Sequence, residues 1–196
     1  MSTLHAASSF GSSSAWCELE SHVECGFRIQ WASDPWMDRQ AHALRRQVYC
    51  GEQGLFHGDD LDDIDRHEPS VRNLVALSCL AGQADEVVGT VRIHRAAPGT
   101  WWGSRLAVRH AWRQHRGLGS TLVRLAVCSA QAFDCDEFLG HIQAQNVPLF
   151  ERLGWRALEE REIHGTPHAL MRADLDRYPP CPTPYAGFML TGGLSS

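Results

Sequence analysis

The sequence predicts a single α/β (α+β) domain, and three observations carry that prediction. Short apolar runs bounded by turn residues alternate with longer segments whose apolar residues recur at helical spacing. Their order is strand, helix, two strands, strand, loop, helix, strand, helix and two more strands. Between Ser104 and Leu122 the chain passes from a compact apolar run, Leu106-Ala107-Val108, through a basic loop and the glycines Gly117 and Gly119, into a helix. A length of 196 residues with 43% hydrophobic and 21% charged residues suits one domain with a sizeable core plus tails.

Residues 1–25 are rich in serine and small residues without a sustained period, the composition of a tail. Phe27 to Trp31 alternates apolar and polar residues, as a strand does. Asp34-Pro35 offers an N-cap followed by proline at the first helical position. Trp36, Met37, Ala41, Leu44 and Val48 then give a helix its apolar face to about Tyr49, and Gly51 and Gly54 punctuate its end. The acidic run Asp59 to Asp65 lacks the ligand register, central glycine and closing glutamate of an EF-hand. It is expected to be a solvated loop.

Leu74–Leu80 and Val87–His94 are two strands joined by a hairpin turn over Ala81 to Asp85. In the second strand Thr90, Arg92 and His94 share one face, which either packs on helices or is partly polar. Trp101 to Val108 is the strand that feeds the glycine loop, and the helix after it carries Leu118, Leu122, Leu125, Ala126 and Phe133 on one face. Glu137–Gln143 is a further strand; Asn146 caps a short helix with Pro148 in its first turn and Gly154 at its end. Trp155–Ile163 and His168–Ala173 form a final hairpin across Gly165-Thr166-Pro167. From Tyr178 the chain is rich in proline and glycine and aperiodic, so 178–196 is expected to be a loose tail and 26–177 the domain.

Composition also excludes. A formal charge of −5 without a dominant basic stripe argues against a nucleic-acid surface. No apolar run approaches membrane-spanning length and the N-terminus lacks the basic and apolar regions of a secretory signal, so a cytoplasmic location is expected. Seven cysteines without a C-x-x-C pair are expected to be free thiols, and no metal is expected. The chain has no lysine, which removes any lysine base or Schiff-base nucleophile.

A helix that starts at glycines leaves its first N–H groups unpaired at the positive end of its dipole. Such an end holds a phosphate or pyrophosphate, and Arg113 and Arg116 add charge beside it. The loop lacks the Lys-Ser/Thr ending of a P-loop and the third glycine of a dinucleotide fingerprint. What remains, Gln114-x-x-Gly117-x-Gly119 after a strand ending Arg105-Leu106-Ala107-Val108, resembles the coenzyme A loop of the GNAT N-acetyltransferases, Gln/Arg-x-x-Gly-x-Gly/Ala. The spacing from Val108 to Gln114 is one residue longer than the usual family form. Asn146-x-x-Leu149-Phe150-Glu151-Arg152-Leu153-Gly154-Trp155 is similar to the family's Asn-x-x-Ala-x-x-Phe-Tyr-Glu-x-x-Gly-Phe, shortened after the asparagine. Leu44-Arg45-x-x-Val48-Tyr49-x-x-Glu52-Gln53, followed by the aspartates, resembles a GNAT branch related in outline to the acyl-homoserine-lactone synthases, where this segment shapes the acceptor side of the cleft. Together the resemblances cover Phe27 to Ala173. More narrowly, the whole resembles N-acetyltransferases found with bacterial nitrilase gene clusters.

The resemblance implies a GNAT-like mixed, mostly antiparallel central sheet flanked by helices, with splayed strands at the cofactor site. It implies acetyl-coenzyme A as co-substrate and a small-molecule amine as acceptor, and it leaves a homodimer open. Leu106, Ala107 and Val108 would border the pantetheine arm, with backbone groups of Leu106 and Val108 pairing with it. Arg113, Gln114, His115, Arg116, Gly117, Leu118 and Gly119, with Ser120 and Thr121, would hold the pyrophosphate. Asn146 would assist the cofactor, and Phe150 stands where many relatives place a tyrosine that protonates the leaving thiolate. Glu52 and His141 are the candidate catalytic residues for proton transfer, with His94 and His168 as alternatives. Two other functions fit the same residues: acyl transfer from a longer or carrier-protein-bound chain, suggested by Arg45 to Asp65, and a non-catalytic acyl-coenzyme A-binding module, suggested by Phe150.

Overall fold

The structure is a computed structural model, and it describes residues 26–80, 83–114 and 117–191. The expected tail 1–25 lies outside the described residues, as do His115 and Arg116. The first half of the chain gives β1 (Gly26–Trp31), α1 (Pro35–Arg46), α2 (Asp63–His67), β2 (Arg72–Leu80), β3 (Gln83–Ala97) and β4 (Thr100–Val108). The second half gives α3 (Leu118–Gln131), β5 (Glu137–Gln143), α4 (Val147–Arg152), β6 (Trp155–Ile163), β7 (Thr166–Ala173) and β8 (Phe188–Thr191). The strands form one sheet in the order β6-β7-β5-β4-β3-β2-β1-β8. All its described pairings are antiparallel except β4 with β5, so the sheet is mixed and mostly antiparallel. Among the described residues no helix is long and apolar enough to cross a membrane.

Both faces of the sheet are covered, which is why β2 is apolar on both sides of its pleat from Leu74 to Leu77. Leu74 and Ala76 pack toward α3 with Leu118, Leu122 and Ala126, while Val75 and Leu77 pack toward α1 with Met37, Ala41 and Leu44. The helix α1 then widens into a π-helical turn, Gln47–Glu52, closed by the Gln53 N–H donating to the Val48 carbonyl at 2.9 Å. Such a turn re-aims side chains relative to an α-helical continuation and is frequent at functional sites. Here it accompanies an inward-turned Tyr49, whose hydroxyl donates to the Leu106 carbonyl on β4 at 2.7 Å.

Several expected boundaries shift. β3 starts at Gln83, inside the expected turn, whose residues 81 and 82 lie outside the described residues; β7 starts at Thr166, so the β6–β7 turn is shorter than its glycine and proline suggest. α3 ends at Gln131, and Phe133 lies beyond it, 41% exposed and stacked on Trp31 with ring centroids 5.4 Å apart. Asn146 precedes α4 without a side-chain capping hydrogen bond, because its backbone is already helical at φ −99° and ψ −10°. Of the segment expected to be a loose tail, the described residues 178–191 are built into the fold. Tyr178 is buried and accepts a hydrogen bond from the Trp155 indole, Cys181 donates its N–H to the Cys128 carbonyl on α3, and β8 pairs with β1. These anchors are single residues spread through an aperiodic stretch, so periodicity does not register them.

Candidate active site

Two local features open the centre of the sheet. β4 and β5 pair only over Thr100–Trp102 and Glu137–Leu139, and beyond that point they part. β4 also bulges: the register steps from Arg92 opposite Ser104 to Thr90 opposite Ala107, so Val91 faces both Arg105 and Leu106. Arg105 takes the left-handed conformation there, φ 56°. The carbonyls of Leu106 and Val108 turn away from β3, since the first accepts from Tyr49 and the second from the Arg113 Nε at 2.9 Å. A strand residue presents its N–H on the same side as its C=O, so these two N–H groups also face away from β3.

The parted strands look onto a cavity of about 510 Å³. Val123 and Ala126 of α3, Phe138 and Ile142 of β5, and Phe150 and Trp155 form its apolar side. Phe150 is buried and meets Trp155 edge-on, centroids 5.0 Å apart. Across from them stand Tyr49, Phe56, Arg92, His94, Arg105, His141 and His168, with Asn146 also on the wall.

His141 sits on β5 beyond the last β4 pairing, its ring 5.0 Å from that of Trp102. Its Nε2 is buried without a protein partner. Burial, followed by the charges of Arg161 and His168, lowers its pKa and favours neutral imidazole. His94 is similarly lowered, by burial and then by Arg92, and its Nδ1 is also unpartnered. Tyr49 is pushed up to about 12 by burial, against the opposing pull of Arg105, so its hydroxyl keeps its proton. Glu52 is not on the cavity wall; its carboxylate pairs with Arg113. That contact ties the π-helical turn to the loop after β4 and leaves the Arg113 charge already balanced.

At the far end of β4, Gly117 takes φ 100° and begins α3 with no side-chain cap and no acid in the first turn. The first helical bond runs from the Thr121 N–H to the Gly117 carbonyl, 2.8 Å, which leaves the N–H groups of Leu118, Gly119 and Ser120 outside the helical ladder. A Cβ at Gly119 would meet only a Val108 methyl at 3.9 Å, and one at Gly117 nothing closer than the Thr121 hydroxyl at 3.9 Å. Unclaimed donors, open space and the positive helix end fit a diphosphate.

The acidic run is not a solvated loop. Asp62 and Asp65 form a capping box on α2, and Asp60, Asp62 and Asp65 meet three arginines. Arg45 donates to Asp60 at 2.8 Å and to both oxygens of Asp65 at 2.9 and 2.7 Å. Arg92 grips Asp62 at 2.6 and 2.9 Å and reaches Asp65 at 2.7 Å. Arg105 lies 3.1 Å from Asp60 and 3.2 Å from Asp62. Burial disfavours ionised Asp65, but the Arg45 and Arg92 contacts outweigh it and hold its pKa well below the usual carboxylate range. The same face that was expected to pack on helices or be partly polar, Thr90, Arg92 and His94, is therefore a buried polar layer. Arg92 and Arg105 are site residues that the sequence does not single out, and Arg45 and Tyr49 enter only as part of the Leu44–Gln53 segment. Arg45 did carry a signal: it lies four residues after Ala41 on the stripe that α1 buries, and a charge there requires a buried partner.

Comparison with known proteins follows this geometry. The N-acetyltransferase provisionally named from Lactobacillus plantarum is 23% identical with a TM-score of 0.66, covering 76% of this chain and 98% of its own. Escherichia coli ElaA is 19% identical with a TM-score of 0.63 over 76% and 98%. FeeM, an N-acyl amino acid synthase from uncultured soil microbes, is 12% identical with a TM-score of 0.60 over 78% and 94%. At these identities the likeness is one of fold. No curated protein matches the sequence. The model of the acetyltransferase (GNAT) family matches residues 28–155, a span that holds the parted strands, the bulge and the glycine turn together, and the chain belongs to that family.

Proposed function

We propose that this protein transfers an acetyl group from acetyl-coenzyme A to the amine of a small molecule. One observation carries the reading: β4 and β5 part between a diphosphate-compatible helix end and a half-apolar, half-polar cavity. Bound acyl-coenzyme A supplies the acyl group as a thioester. Gly117 to Ser120 would hold its diphosphate through backbone N–H groups, and the Leu106 and Val108 N–H groups would face its arm. An amide of the same strand would polarise the thioester oxygen. His141, neutral and with a free Nε2, would take the proton that an incoming ammonium must lose. Phe150 donates no proton; Tyr49 places on this wall a phenol hydroxyl that keeps its proton at neutral pH.

A second reading, transfer of a longer acyl chain, is favoured by the continuous apolar side formed by Val123, Ala126, Phe138, Ile142, Phe150 and Trp155. FeeM, with the same fold, is named for N-acyl transfer. Thermal stability with acetyl-, octanoyl- and free coenzyme A distinguishes the readings, since a ligand at a hundredfold excess over Kd stabilises by about 2.7 kcal/mol. Gly119→Val places a branched side chain in open space beside the helix end, so the fold should persist while this stabilisation is lost. A folded Gly119→Val protein that binds acetyl-coenzyme A like the parent overturns the diphosphate assignment.

A further inference from the structure

The cavity wall carries two guanidiniums and four imidazoles, Arg92, Arg105, His94, His141, His164 and His168, and among the described residues no carboxylate lines it. The aspartates of the buried network stand behind the arginines rather than on the wall. We propose that the acceptor amine carries a carboxylate, and that Arg105 selects an apolar α-amino acid over a simple amine or a polyamine. This rests on the acyltransferase reading above.

The two arginines are not equivalent. Arg92 is committed on every nitrogen: Nε to the Ser104 hydroxyl at 3.0 Å, Nη1 and Nη2 to Asp62, and Nη1 also to Asp65. Arg105 is held by Nη2, which donates to the Asp60 carbonyl at 3.1 Å and to Asp62 at 3.2 Å; its Nε lies 3.1 Å from the Asp60 carboxylate without a hydrogen bond, and among the described residues no protein group engages Nη1. Its side chain is 18% exposed where Arg92 is 2%. The guanidinium lies 4.6 Å from the Phe56 ring centroid and 5.8 Å from that of Tyr49. A planar donor fixed by two rings and anchored at its rear, with one edge open to a cavity, is suited to a carboxylate.

Position and surroundings narrow the ligand. Arg105 directly precedes Leu106, whose N–H faces the parted strands, and both residues line the same cavity. An α-amino acid carries its amine and its carboxylate on one carbon, the most compact way to present both groups to that cavity. Leu55, Phe56 and Ile64 on the same side of the cavity offer an apolar site for its side chain. A polyamine's second ammonium would instead meet guanidinium and imidazole with no wall carboxylate to pair with.

The test compares phenylalanine, phenylalaninamide, phenethylamine and spermidine as acceptors, following loss of the acetyl-coenzyme A thioester. Phenylalanine should exceed the amide and the amine in kcat/KM by about tenfold to a hundredfold, the worth of one hydrogen bond to a charged group. The difference should lie mainly in KM. Arg105→Gln should lower the phenylalanine-to-phenethylamine ratio of kcat/KM toward one, and Arg105→Lys should restore part of that ratio. A parent enzyme that acetylates the amide, phenethylamine or spermidine as well as phenylalanine overturns the proposal and leaves the acyltransferase reading standing. Failure of every acceptor together with failure to bind acetyl-coenzyme A overturns that reading. If binding occurs without turnover, thermal stabilisation of the coenzyme A complex by N-acetylphenylalanine but not by its amide supports the proposal, and equal stabilisation overturns it. These comparisons alter the ligand, so they decide the matter even if Arg105→Gln fails to fold.

Discussion

A histidine that takes a proton from an alkylammonium must be neutral at the working pH and must present a free ring nitrogen. His141 has both, a lowered pKa from burial and an unpartnered Nε2, and the charged groups that act on it are Arg161, His168 and Glu159. A base works deprotonated, so activity rises with pH through its pKa. The acid limb of kcat/KM is therefore expected below the ordinary imidazole value of about 6.5. His141→Gln should remove that limb and slow turnover by about a hundredfold or more. An unchanged limb in the folded variant assigns the proton transfer to another group. Chemistry at single residues was only partly legible. His141 and Phe150 line the cavity, whereas Glu52 is bound to Arg113 away from it. Ion pairs between residues 61 positions apart leave no trace in spacing.

The short helix α2 carries a weight out of proportion to its five residues. Its Asp65, its N-cap Asp62 and Asp60 just before it hold Arg45 of α1, Arg92 of β3 and Arg105 of β4 in one set, which fixes the bulge and its left-handed arginine. Arg45→Ala leaves Asp60 and Asp65 buried beside a void where a guanidinium was. Removing one partner of a buried pair costs about 3–5 kcal/mol, and the denaturation midpoint at neutral pH should fall accordingly. The sign with pH follows from Asp65, whose folded pKa is lowered. Its contribution is full above the unfolded value of about 3.9 and is lost as pH falls from there toward the folded value. The gap between parent and Arg45→Ala should narrow in that acid window; a gap independent of pH would detach the loss from the ion pairs. Element identity was legible here for α1, β2 and β3 because burial on a helix stripe or a strand face imposes a period. α2 was not, because its acids face partners supplied by three other elements, and an acidic run has the same composition solvated or paired.

Across the molecule, the order of strands and helices carried most of the fold, since a parallel β4–β5 step separated by α3 needs the long crossover that the glycine loop and helix supply. The site stands mid-sheet, with β7 and β6 on one side and β3, β2, β1 and β8 on the other. The C-terminal segment starts beside Trp155, crosses α3 at Cys128, meets Trp31 through the Pro184 carbonyl, and ends as the outermost strand on β1. Time, rather than geometry, is where this route makes itself felt. Pairing β8 with β1 joins residues near 190 to residues near 27, the longest closure in the sheet, and β8 is only four residues long. Contacts of that separation form late and open first. In hydrogen exchange the Phe188–Thr191 amides should lose protection well before those of β2 to β4, and at a rate that acetyl-coenzyme A does not change, because β1 and β2 stand between them and the nearest strand that lines the cavity. The edge of the sheet can come and go many times while the centre remains closed for the duration of a turnover.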